Sequence, residues 1–160
     1  MHERICEFVN TAELELERDD LDEWLRRCGV EPTADDLRRA AEVRESLRAL
    51  LLAHNGVAVD VGAASAVLDD AARSARLTVR FVGGSPEVVA GATGLDGVIG
   101  RVLAEVAAAA AGGTWARLKA CRAETCRWAF YDSARNRSRA WCSMEVCGNR
   151  AKARRFRARQ

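Results

Sequence analysis

Cys121-Arg-Ala-Glu-Thr-Cys126, followed after fifteen residues by Cys142-Ser-Met-Glu-Val-Cys147, decides how the C-terminal end of this chain folds. Two close cysteine pairs separated by a spacer have the form of a structural zinc site. Each pair offers two thiolates from a tight turn, and the spacer lets the pairs converge on one tetrahedron with Zn–S bonds of about 2.3 Å. Four sulfurs fill the coordination shell, so such a site shapes the chain and does no catalysis. The expected ligands are Cys121, Cys126, Cys142 and Cys147. Buried or redox-active thiols and an iron–sulfur cluster are the competing readings. A segment this short builds little core of its own and ordinarily needs a metal or disulfides. Four thiolates on one zinc ion carry a net negative charge, for which Lys119, Arg122 and Arg127 are near enough in sequence to compensate. Trp115, Trp128, Trp141, Phe130 and Tyr131 read as a small aromatic core around the metal, with base stacking as the minority reading.

Basic residues crowd around these cysteines. Arg135, Arg137 and Arg139 lie in the spacer, and Asn149, Arg150, Lys152, Arg154, Arg155, Arg157 and Arg159 follow the last cysteine. On a helix Arg150, Arg154 and Arg157 share one face, Lys152, Arg155 and Arg159 an adjacent stripe, and Ala153 and Phe156 face the metal core. Like charges at that spacing repel, and phosphates would relieve the repulsion while releasing counterions. The charge balance divides the chain the same way. Residues 1–113 hold 12 Lys/Arg against 20 Asp/Glu, a net −8, and residues 114–160 hold 13 against 3, a net +10. The basic end thus suits a polyanion that the acidic part would repel. A solvated basic face, or a tail docked on the acidic part, is the alternative.

Upstream the pattern is mostly helical. Leu21, Trp24, Leu25 and Cys28 fall on one face of a helix that Asp20 caps and Gly29 stops. Thr33 with Asp36 resembles a capping box, and Leu37, Ala40, Ala41, Val43, Leu47, Leu50 and Leu51 continue a stripe to Asn55-Gly56. A third helix is expected over Ser65–Ala75. Leu77, Val79 and Phe81 then alternate with Thr78, Arg80 and Val82, which predicts a strand with one buried face, returning through Gly83-Gly84-Ser85-Pro86 as a hairpin. Leu95–Ala111 is an alanine-rich packed helix, and Gly112-Gly113 marks the boundary between a domain over 1–112 and a finger over 113–160.

Apolar residues make up 49% of the chain and charged residues 30%, enough for a packed core and too ordered a pattern for global disorder. No apolar run approaches the roughly 20 residues of a membrane span, and the N-terminus lacks a signal-peptide core, so a cytoplasmic protein is expected. Cys6 and Cys28 read as free thiols in a reducing compartment. His2 and His54 are the only histidines, and neither has a nucleophile or ligand partner at informative spacing, so no enzyme is expected.

The segment from Cys121 to Lys152 resembles the CGNR zinc finger family. The resemblance runs over residues 115–157 through the four cysteines, Phe130-Tyr-Asp-Ser133, Trp141-Cys142-Ser-Met144 and the tetrapeptide Cys147-Gly148-Asn149-Arg150. Phe8-Val-Asn-Thr11 and the acidic helical stretch after it look like the ABATE domain that accompanies this finger. The resemblance implies zinc on the four cysteines and a bacterial, stress-related transcription regulator. It leaves open whether Asn149 and Arg150 contact DNA or brace the metal loop. The expected fold is α+β: a mostly helical N-terminal domain with a small hairpin, and a small four-cysteine zinc ribbon or treble-clef-like finger ending in a basic helix. The expected function is DNA-binding regulation, with an RNA- or protein-interaction module as the alternative. The first domain would sense a signal, bind a small-molecule ligand or pair subunits into a homodimer.

Overall fold

The computed structural model describes residues 2–158. Its frame is α3, Ala34–His54, the longest helix among the described residues. The Thr33 side chain accepts the Asp36 N–H while the Asp36 carboxylate accepts the Thr33 N–H, so the capping box forms with Asp in place of the longer acid. Asn55 ends the helix, and Gly56 follows with φ +73°, in the left-handed region that glycine enters without strain. Around α3 pack α1 (Glu3–Val9), α2 (Leu21–Arg27), α4 (Val61–Ser74) and α5 (Gly94–Ala111). Ile5, Phe8, Trp24, Leu25, Val43, Leu47, Leu51, Val98 and Val102 form the core between them.

Small differences from the expected boundaries have local causes. At α2 the carboxylate of Asp19, not Asp20, accepts the Leu21 N–H at 3.1 Å. Helix α4 starts four residues before Ser65, because Asp60 accepts the Ala63 N–H and caps it there. Two charged residues lie inside the α3 stripe. Arg44 grips Asp19 through two bonds of 2.7 and 2.9 Å and also donates to Thr11 Oγ1. Arg48 donates to the Val9 and Arg127 carbonyls at 2.7 and 3.0 Å. These bonds let both guanidiniums sit almost fully buried.

Strands β1 (Ala12–Glu13) and β2 (Arg18–Asp19) make a minimal hairpin whose tip carries Glu15. Strands β3 (Leu77–Val82) and β4 (Ser85–Ala90) pair antiparallel, Leu77 opposite Ala90 and Val79 opposite Val88. The strand is where the alternation put it, but the expected buried face is not there. Leu77 is half-buried, while Val79 and Phe81 are 62% and 76% exposed. Helix α5 packs against β4 but reaches β3 only at its root. There Gly100 allows contact so close that a Cβ on it would lie 2.6 Å from the Ala90 Cβ and 3.5 Å from Leu77. Beyond that point the apolar face leaves the body of the molecule.

After α5 the chain turns at Gly113, with φ +67°, and passes a short 3-10 turn at Trp115–Arg117. Strands β5 (Leu118–Ala120) and β6 (Ala129–Tyr131) follow, with Lys119 opposite Phe130. Leu118, Ala120 and Ala129 belong to the same apolar core as the helices, so that core runs on past Gly112-Gly113. A wide π turn over Met144–Gly148 leads into α6, Asn149–Arg157. The chain is therefore mostly helical with small antiparallel hairpins and a final basic helix. Among the described residues no helix is long and apolar enough to cross a membrane.

Candidate metal centre and basic face

Strand β5 ends directly at Cys121, and the turn after it returns the chain to β6 through Cys126. The Cys121 N–H donates to the Trp128 carbonyl at 2.9 Å and the Cys126 N–H to the Ala123 carbonyl at 3.0 Å, which fixes the first pair. Cys142 lies in the loop before the π turn and Cys147 inside it. The four sulfurs lie within 4.8 Å of one another, with Cys126 to Cys142 at 3.6 Å and Cys142 to Cys147 at 3.8 Å. A tetrahedron with metal–sulfur bonds of about 2.3 Å has edges of about 3.8 Å. A disulfide needs about 2.05 Å between sulfurs. The four cysteines are thus arranged to bind a metal, and an all-sulfur set of this size fits zinc. Cys121 and Cys147 are buried, and Cys126 and Cys142 half-buried.

The electrostatics agree with an ion at the centre. Burial raises the pKa of Cys142, with further contributions from Cys126 and Cys121. Burial and the charges of Cys121 and Cys126 push Cys147 up to about 12. Burial opposes ionisation of Cys121 too, but the backbone N–H groups of Cys142 and Ala123 point at its sulfur and bring it below its ordinary value. Four thiolates gathered this closely call for a cation. The cationic side chains expected to compensate the thiolates have other partners. Arg122 donates to the Asn55 carbonyl at 2.7 Å, Arg127 to the Arg122 carbonyl, and Lys119 to Asp132 at 2.7 Å and to the Arg137 and Arg139 carbonyls.

The aromatic residues divide. Phe130 and Trp141 pack with the cysteines, whereas Trp115 and Tyr131 pack on the helical core. His54 stacks edge-on against Trp115 and meets the Leu118 carbonyl at 2.8 Å through Nδ1, so it helps seat β5. His2 stacks on Tyr131.

The cysteine segment is bolted to the helices by polar bonds that the sequence pattern does not announce. The Asn55 side chain donates to both the Ala120 and Ala140 carbonyls, at 2.8 and 2.9 Å. Asn10 accepts the Ala129 N–H at 2.7 Å and donates to the Ala129 carbonyl at 3.0 Å, as a neighbouring strand would. In the sequence Asn55 is legible only as a helix stop, and Asn10 carries no signal beyond its place in Phe8-Val-Asn-Thr11.

The ten residues expected to meet nucleic acid do not form one set. Arg139 lies over the Phe130 ring, 4.9 Å from its centroid, and donates to the Trp141 and Cys142 carbonyls, where it braces the metal loop. Arg150 pairs with Glu15 at the tip of the β1–β2 hairpin. Asn149 donates to the Glu145 carbonyl one turn back. Arg135 and Arg137 are exposed in the spacer turn. Lys152, Arg154, Arg155 and Arg157 are exposed on α6 and have no carboxylate partner among the described residues. Arg159 lies outside the described residues. Ala151 is the one buried residue of α6 among those described, and Phe156, expected to face the metal, is 66% exposed. Every described residue of α6 after Ala151 is exposed, so its later apolar positions are uncovered.

A family model described as "CGNR zinc finger" matches residues 117–160. A second, described as "Putative stress-induced transcription regulator" and abbreviated ABATE, matches residues 3–117. No curated protein matches the chain.

Proposed function

This chain belongs to the ABATE family and ends in a CGNR zinc finger, and from that premise we propose that it is a DNA-binding transcription regulator of the bacterial stress response, acting in the cytoplasm. Residues 1–112 serve as the regulatory part and residues 113–160 as the finger. Cys121, Cys126, Cys142 and Cys147 hold one zinc ion, which when bound ties the β5–β6 turn to the π turn that launches α6. The observation that carries the reading is the exposed cationic set Lys152, Arg154, Arg155 and Arg157 on that helix, with no carboxylate partner among the described residues. Phosphates would supply the missing negative charge. Arg135 and Arg137 extend the same positive field. Arg139 serves as a brace, and Arg150, held by Glu15, orients α6 against the acidic body. No catalytic role is assigned to any residue. A small-molecule signal would bind in the open cleft lined by Glu3, Cys6, Glu7, Trp24 and Trp128, which takes residues from both parts.

Fluorescence anisotropy of the full chain against a random-sequence duplex tests this. Binding should weaken log-linearly with salt, and converting Arg154, Arg155 and Arg157 together to Ala should reduce the slope by about 2–3. A metal measurement should give one zinc per chain, and chelation should abolish binding. Absence of binding at low salt, or a slope unchanged in the triple variant, refutes the phosphate-contacting helix. Binding of RNA or of an acidic protein in preference to duplex would favour the interaction-module reading.

A further inference from the structure

The largest run of exposed apolar side chains in the described residues is on β3: Val79 at 62%, Phe81 at 76% and Val82 at 52%. Val79 and Phe81 share a face with Leu77, and across the register with Ala90, Val88 and Pro86. That face looks toward α5, since Leu77 and Ala90 are the residues at Gly100. Further out the hairpin diverges from the helix and leaves a groove with Pro86, Val88 and Val89 of β4 on one side, Ala104, Ala107, Ala108 and Ala111 of α5 on the other, and the charged Arg4, Glu87, Arg101 and Glu105 also lining it. A two-stranded sheet alone is marginal in water, and an open strand edge is a template for another strand. Strand β4 packs along α5 and contains Pro86, whereas β3 has no proline. The free edge is therefore that of β3.

We propose that β3 pairs antiparallel with β3 of a second copy of this chain, making a continuous four-stranded sheet across a two-fold axis. Charge permits a second copy as the occupant, and the strand register favours it. Residues 1–74 hold nine Lys/Arg and seventeen Asp/Glu, a net −8 that would drive identical surfaces apart. Residues 75–113, which contain the hairpin and α5, hold three of each (Arg76, Arg80 and Arg101 against Glu87, Asp96 and Glu105) and are neutral. A neutral, apolar face is what an isologous interface requires.

The register also favours self-pairing. With the two-fold at Val79, Val79 meets its own copy, Phe81 meets Leu77, and Arg80 meets Thr78. Leu77, Val79 and Phe81 of both copies then lie on one face, with Val82 on the other, and no like charges oppose each other. Moving the axis to Arg80 would set two guanidiniums face to face, which is unfavourable. In the Val79 register Phe81 comes to lie beside the other copy's Leu77, which already rests on its own α5. Each copy would thus cover the other's exposed ring, on the order of 150 Å² from Phe81 alone. A stable dimer buries about 800 Å² per partner, which the strand, Val79, Val82 and the groove wall would have to complete.

Sedimentation equilibrium on the 160-residue chain tests the pairing independently of any nucleic acid. Wild type should sediment at twice the chain mass in the micromolar range. Phe81→Asp should weaken association at least about 100-fold while leaving the circular dichroism spectrum unchanged, because the ring is exposed in the single chain. Val79→Cys should give a disulfide between two copies on mild oxidation, mapped by peptide mass, since directly opposed residues lie within disulfide reach. A wild type that remains a single chain at about 100 μM, a Phe81→Asp variant that stays dimeric, or a Val79→Cys variant that never cross-links through this position would overturn the proposal.

Discussion

Of the three antiparallel hairpins among the described residues, the two longer ones have opposite fates. The pair β5–β6 is three residues per strand, yet Leu118, Ala120, Ala129 and Phe130 are buried in it, between α3 and the cysteine cluster. The pair β3–β4 is twice as long and carries more strongly strand-forming residues, yet its outer half faces water. Length and alternation therefore indicate that a strand forms, and say little about what covers it. Cover comes from other elements: α3 and the metal loop for the short hairpin, and for the long one α5, which lies along β4 and meets β3 only near Gly100.

Removing the metal should strike this contrast hardest. Chelation should disorder the cysteine loops and, because Leu118 and Ala120 sit in the helical core, should lower the melting temperature of the whole chain by more than about 10 °C. Scanning calorimetry should show one shifted transition. Two transitions, with the helical part melting at its original temperature, would show that β5–β6 is less integral than its burial implies.

Next in size is Lys119→Met. It would leave Asp132, which is fully buried, without its cation and should cost about 3–5 kcal/mol in urea unfolding. The same pair sets an acid dependence. Burial opposes the Asp132 carboxylate, but Lys119 and the Ala134 and Arg139 N–H groups outweigh it and hold the pKa below the ordinary value. Stability from this group is then full above the unfolded value of about 3.9 and is lost as pH falls through the lower folded value. Asp19, where the Arg44 guanidinium overcomes burial, acts in the same direction. Urea midpoints measured from pH 6 downward should hold until about pH 4 and then drop, and the drop should be smaller in Lys119→Met.

Leu118→Ala, in the covered hairpin, should cost about 2–4 kcal/mol. Phe81→Ser, in the uncovered one, should change the stability of the single chain by no more than about 0.5 kcal/mol when measured in dilute solution. Equal costs for these two truncations would erase the distinction between the hairpins.

Much of the cysteine site was legible because its information is local. The spacing of Cys121, Cys126, Cys142 and Cys147 and the run from Gly148 onward lie within forty residues, and their convergence follows from tight turns. The capping box at Thr33, the α3 stripe and the stop at Asn55 were readable for the same reason. What could not be read depends on meetings between distant segments. Arg44 and Arg48 look like solvated helix residues until Asp19, Val9 and Arg127 are brought to them. Asn55 reads as a helix end until β5 and the Ala140 loop arrive on either side of its amide. The expectation that Phe156 faces the metal failed because helical register gives direction around an axis and not the distance over which a helix remains in contact.

The passage of one core across Gly112-Gly113 bears on how the chain is made. A ribosome releases α1 to α5 first, but the flank of α3 that receives Leu118 and Ala120 stays bare until residues 118–131 have emerged. During synthesis the helices are thus an unfinished body with an open seam, exposed to aggregation and to proteases. Sealing that seam waits for residues 118–131 to emerge, and it would proceed fastest where the metal is already abundant.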